Sequence, residues 1–173
     1  PYLLWWTLGV ATFGAGTVTE SINAIFGWSE WNTKIWYIVG ALLGGYPLAQ
    51  GTIYLLMNKR FADISALLCS TVIVVAAVCF LLSPIAVREG FDYRLTGRVF
   101  EWQWVRAFSP LLNLYAFVFL FGGAVYSAIQ YFAVETGRTR FLGNIYIAIG
   151  ALLPGIGGTF TRFGYVEILY ITE

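Results

Sequence analysis

Apolar and charged positions fall in long separate blocks along this chain. Ile35 to Met57, Ile64 to Ala86 and Ala107 to Ala133 contain no charged residue at all. About 20 apolar residues in helical form cross the hydrocarbon core of a bilayer, and each of these stretches is long enough. The pattern predicts helices over Tyr2–Phe26, Ile35–Met57, Ile64–Ala86, Ala107–Ala133 and Leu142–Thr159, with a sixth opening near Gly164 and cut short at Glu173. The expected fold class is all-α, a polytopic transmembrane bundle of about six helices forming one domain over residues 1–173.

Most connections between these helices are short. The exception is Val87–Arg106, where Thr96-Gly97 separates two strand-like pieces and points to a hairpin, with an interfacial helix as the alternative. Pro1 to Phe26 has no charged n-region and exceeds the length of a signal-peptide core, so it reads as a membrane helix. The start at Pro1 and the short last apolar segment lead us to expect a piece of a slightly longer chain.

Composition narrows the field. Of 173 residues, 11% are charged and 59% hydrophobic, against about 25% charged in soluble domains. The net charge of +1 and the lack of a basic arm argue against nucleic acid as a partner. There is no histidine, which removes the usual ligand of haem and many metal sites and the default proton shuttle. No cofactor is therefore expected beyond lipid, quinone or carotenoid contact. Cys69 and Cys79 sit ten residues apart on one expected helix, about 15 Å along its axis, too far for a disulfide.

The positive-inside rule puts the tight loops with Lys59, Arg60 and Arg138, Arg140 in the cytoplasm. The long loop on the other side, with Arg88, Arg94, Arg98 and Arg106 against Glu89, Asp92 and Glu101, pulls against this. Trp5, Trp6, Trp28, Trp31, Trp36, Trp102 and Trp104 fall near expected helix ends, as an interfacial belt would; a ring-lined pigment or quinone site is the sharper alternative.

Small residues recur at helix-packing spacing: Gly40 and Gly44, continued by Pro47 and Gly51, then Gly123 with Ser127 and Ala151 with Gly155. Such stripes let helix backbones approach where lipid supplies little hydrophobic drive. Thr12, Gly16, Glu20 and Asn23 share one face of the first helix, and Glu20 points to an interhelical hydrogen bond or ion pair, with a proton or cation site as the functional alternative. The string Leu153–Gly164, with Pro154, Gly155, Gly157 and Gly158, suggests a packed helix end followed by a tight turn into the sixth helix, with a broken helix whose freed backbone groups hold ions as the alternative. Arg162 and Glu167 flank it on the side that Glu20 approaches, so Glu20, Asn23, Gly157, Gly158, Arg162 and Glu167 are the candidate ligand or ion residues. Tyr46, Gln50 and Tyr54, at i, i+4 and i+8, suit a polar seam.

Catalysis finds little support, because Lys34 and Lys59 read as surface-loop residues and no nucleophile has a base beside it. The sequence thus points to a non-enzymatic accessory or structural subunit packing against other membrane subunits, lipids or hydrophobic cofactors. A small transporter or channel is the alternative. A multi-pass protein of the bacterial inner membrane is the expected location.

Overall fold

The computed structural model describes residues 1–86, 95–134 and 137–162, with side chains as far as Ile156. Helix α1 covers Tyr2–Phe26, as its apolar pattern predicts. Its buried residues are Gly9, Thr12, Gly16 and Thr19, a stripe at spacings of three and four. The two threonine hydroxyls donate to the carbonyls of Gly9 and Gly16 at 3.0 and 2.6 Å, so they are self-satisfied and pack as small residues. Gly27 ends the helix at φ 83, a left-handed conformation that favours glycine.

The second apolar segment runs from Glu30 to Leu56, but not as one regular helix. Helix α2 covers Glu30–Trp36 and widens into a π turn over Tyr37–Leu42. The chain is irregular at 43–45, and helix α3 resumes over Tyr46–Leu56. Pro47 lies in the first turn of α3, where the missing amide would have no helical partner. Helix α4, Lys59–Leu82, starts at Asn58, whose Oδ1 accepts from the Phe61 amide at 2.9 Å.

Beyond α4 the chain pairs Ile85 with Phe100 in an antiparallel bridge. The hairpin expected at Thr96-Gly97 is not what forms there. Thr96 instead caps a 3-10 turn over Gly97–Val99, because its hydroxyl is placed to accept from the Arg98 amide. Residues 87–94 of that loop lie outside the described residues. A second 3-10 turn, Gln103–Ala107, leads into α5 (Phe108–Ala116), a π turn (Phe117–Phe121) and α6 (Gly122–Phe132). Helix α7 covers Arg138–Arg162.

The chain forms two compact units, Pro1–Leu114 and Tyr115–Glu173. In the first, α1 packs on α3. A Cβ added to Gly51 would strike the indole of Trp6, and one added to Gly9 would meet Leu48 at 2.5 Å. Trp6 Nε1 also donates to the Leu48 carbonyl at 3.2 Å. Tyr37, Phe80 and Phe100 close this unit with mutual ring distances of 4.3, 5.3 and 4.9 Å. Gly97 lies against them, since a Cβ there would come within 2.5 Å of Tyr37. The second unit is built on the pair α6 and α7, with Ala124, Ala128 and Ala148 buried.

Burial is inverted relative to a water-soluble helix. Helix α4 buries Ala62, Ser65, Ile73, Ala76 and Phe80, while Leu67, Leu68, Val74 and Leu82 are all more than half exposed. A helix in water would expose its serine and hide its leucines; in lipid, small and polar residues turn toward neighbouring helices. Four segments are long and apolar enough to cross a bilayer: Glu30–Leu56, Lys59–Leu82, Gln103–Phe132 and Arg138–Ile156. Helix α1, at 25 residues, is a fifth by length. The span count is thus four or five among the described residues and not six; the segment from Gly164 lies outside them.

Candidate functional site

The polar groups of the first unit gather where α3 meets α4. Gln50, with no exposed surface, donates through Nε2 to the Ala62 carbonyl at 2.9 Å and to Ser65 Oγ at 3.1 Å. One turn toward the break, the Tyr46 hydroxyl lies 2.8 Å from Ser70 Oγ and donates to the Ala66 carbonyl at 3.2 Å. At the other end, Tyr54 donates to Asp63 Oδ1 at 2.8 Å. The stripe Tyr46, Gln50, Tyr54 is therefore a three-rung seam between antiparallel helices. Interhelical hydrogen bonds of this kind contribute on average about 0.6 kcal/mol each in a membrane. Trp5 flanks the seam, with its ring 5.6 Å from Tyr46 and 6.3 Å from Tyr54.

The irregular point of the second span is also satisfied from within. Ser109 of α5 donates to the Ala41 carbonyl at 3.2 Å. Gly44 lies at this point, with its amide bonded to the Gly40 carbonyl at 3.2 Å. A Cβ at Gly44 would strike that same carbonyl, so its lack of a side chain serves the local turn, whereas Gly40 faces Gly16 of α1. Gly51 is the packing glycine against Trp6, and Gly155 faces Phe117. Gly123 is half-buried beside the Ala124–Ala128 stripe.

Lys34 is not the loop residue its sequence position suggests. It lies on α2, 5% exposed, and its Nζ donates to the Leu81 carbonyl at 3.1 Å. A cation at the carbonyl end of α4 offsets both the orphan acceptor and the negative pole of that helix. Glu30 completes the arrangement at 2.8 Å, and the Trp31 ring lies 5.5 Å away. Sequence reasoning missed this role because the partner is a backbone carbonyl 47 residues away, which leaves no side-chain signature.

Near the C-terminal end of α1, Glu20 Oε1 accepts from Trp36 Nε1 at 2.9 Å. The carboxylate does turn toward another helix, as its face predicts, but its partner here is an indole. Asn32 donates to the Thr19 carbonyl at 2.8 Å, tying α2 to the same region. Asn23 Oδ1 is buried and has no hydrogen-bond partner among the described residues.

The alternative of a broken fifth helix does not hold. Helix α7 runs through Pro154, Gly155, Gly157 and Gly158 to Arg162 without interruption. A proline in mid-helix withholds one bond, here from the Gly150 carbonyl, and membrane helices accommodate such losses. The discontinuity lies instead in the second span, at 43–45. The Arg162 side chain and all of Glu167 lie outside the described residues.

The tryptophans divide. Trp31 and Trp104 are exposed, at 64% and 60%, as an interfacial belt requires. Trp5, Trp6 and Trp36 are engaged in packing and hydrogen bonds. Among the described residues no cluster of acids and cysteines is suited to a metal ion.

These features define a membrane-embedded, multi-pass helical protein whose buried polar groups are largely paired with one another. Comparison with protein-family models, with curated proteins and with solved structures gave no match.

Proposed function

We propose that this chain is a non-enzymatic accessory or structural subunit of a membrane-protein complex, packing against partner proteins, lipids or hydrophobic cofactors. The observation that supports this reading most is the internal closure of the polar groups in the first unit. Gln50, Tyr46 and Tyr54 bond to α4, Lys34 to the end of α4, and Ser109 to the irregular point of the second span. A permeation path would keep such groups facing water, because a moving ion needs ligands that exchange with solvent. The broad apolar outer faces then serve as surfaces for lipid or for other subunits. We assign the chain to a bacterial cytoplasmic membrane, with the Lys59–Arg60 and Arg138–Arg140 loops inside.

A small transporter is the second reading, favoured by the discontinuous second span and by Asn23 Oδ1, three residues from Glu20, which is buried without a partner among the described residues. Mild extraction followed by cross-linking and mass measurement separates the two readings, together with ion-flux assays on the purified chain in proteoliposomes. A subunit runs in a complex of fixed stoichiometry and carries no flux above empty vesicles. Flux by the chain alone, lost in Glu20→Gln, would sink the subunit reading.

A further inference from the structure

Helices α6 and α7 leave an open groove between them, with a volume of about 400 Å³ and every lining residue apolar. Ala128 and Ala148, both buried, form its floor, while Phe121, Phe132, Phe141 and Leu152 mark its ends. From Phe121 to Phe132, and back from Phe141 to Leu152, the groove runs about 16 Å at the helical rise. That is close to half of a hydrocarbon core about 30 Å thick. It therefore matches one acyl chain in one leaflet.

At the loop end the groove continues into a second hollow of about 450 Å³, which shares Phe132 and Phe141 and is also lined by Tyr131 and Arg138. Arg140 stacks on Tyr131 at 5.4 Å, so a second guanidinium stands at the same end. Helix α7 thus opens with Arg138, Thr139 and Arg140, two cations at the helix pole that favours anions. Helix stability does not account for that choice. The positive-inside rule favours cations in this loop, and a negatively charged group bound beside them offsets their unfavourable place at the helix pole, since the loop carries a single acid, Glu135, against the two arginines.

We propose that the α6–α7 groove is a binding site for an anionic phospholipid. One acyl chain lies over Ala128 and Ala148, and the phosphate is held by Arg138 and Arg140. The apolar length sets the depth, and the arginines set the headgroup charge. The site does not depend on whether the chain belongs to a complex; it requires only that the helices are in a membrane.

The test is native mass spectrometry of the full chain in mild detergent, titrated with phosphatidylglycerol, phosphatidylcholine or inorganic phosphate. One phosphatidylglycerol per chain is expected at concentrations where phosphatidylcholine and phosphate leave no adduct. Arginine near anionic lipid is worth about 1 kcal/mol, so Arg138→Gln and Arg140→Gln should each weaken phosphatidylglycerol retention about five-fold. Arg138 is exposed, so that variant keeps the fold. Ala148→Phe, which fills the floor, should remove phosphatidylglycerol retention. Equal retention of the two lipids by the unaltered chain would overturn the proposal, as would a preference untouched by both arginine variants. A dimer that Ala148→Phe dissociates would also overturn it, by assigning the groove to a second copy.

Discussion

Ser109 Oγ donates to the Ala41 carbonyl at 3.2 Å, joining the start of α5 to the turn just before the second span becomes irregular. Helix breaks in lipid are tolerated only where the freed groups find partners in the protein. Ser109 is 4% exposed, so no water substitutes readily for it. Ser109→Ala should lower stability by about 1 kcal/mol, the usual cost of stranding a buried acceptor. Thermal unfolding in detergent measures this, and an unchanged midpoint would count against the role.

The seam between α3 and α4 predicts a graded response. Gln50→Leu removes two bonds to α4 in a fully buried place while Ser65 keeps its own bond to the Ala62 carbonyl, for a loss of about 1 kcal/mol. Tyr54→Phe, at the exposed end, should cost less than about 0.5 kcal/mol. Denaturant titration of both variants checks the order, and a reversed order would place the energetic centre elsewhere.

Close packing of α1 on α3 makes glycine positions unequal. Gly51→Ala forces the Trp6 indole to move and endangers its bond to Leu48, so a loss of about 1–3 kcal/mol is expected. Gly14 has no neighbour within 4 Å of an added Cβ. Gly14→Ala should be neutral, or stabilising by up to about 1 kcal/mol through helix propensity. Midpoints of thermal aggregation for the pair decide the matter.

Lys34 and Glu30 form an ion pair, but the two ends differ in surroundings. Lys34→Met removes a charged donor from the carbonyl end of α4 and should cost about 1–2 kcal/mol. Glu30 has a half-exposed side chain, so Glu30→Gln should cost well under about 1 kcal/mol. Hydrogen exchange at the last turn of α4 should speed up in the first variant and not in the second.

Span existence was legible in the sequence because charge-free length is set by bilayer thickness. Tyr2–Phe26 has the bounds its pattern predicts. The next helices start earlier than their apolar cores, at Glu30 and Lys59, because charged residues at helix ends still have helical backbone in the headgroup layer. The location of the helix break was not legible. Gly44-Gly45-Tyr46-Pro47 and Leu153-Pro154-Gly155 offer the same residue types, and only tertiary partners distinguish them. At the first, Ser109 bonds the Ala41 carbonyl and Pro47 falls in a first turn; at the second, the helix simply continues. The seam was legible because Tyr46, Gln50 and Tyr54 share a face at a spacing of four. The partners of Lys34 and Glu20 were not, since a backbone carbonyl and an indole carry no charge pattern.

The central claim, that the middle of the polar seam between α3 and α4, around Gln50, is closed to water, can be measured by thiol accessibility. In a chain with Cys69 and Cys79 replaced by alanine, Ser65→Cys places a thiol next to Gln50 in the middle of the seam. In intact membranes a small hydrophilic thiol reagent, applied from both sides, should leave this cysteine unmodified while labelling a control cysteine at Lys59. Rapid labelling at position 65 would show a water-filled path through the first unit and contradict the account.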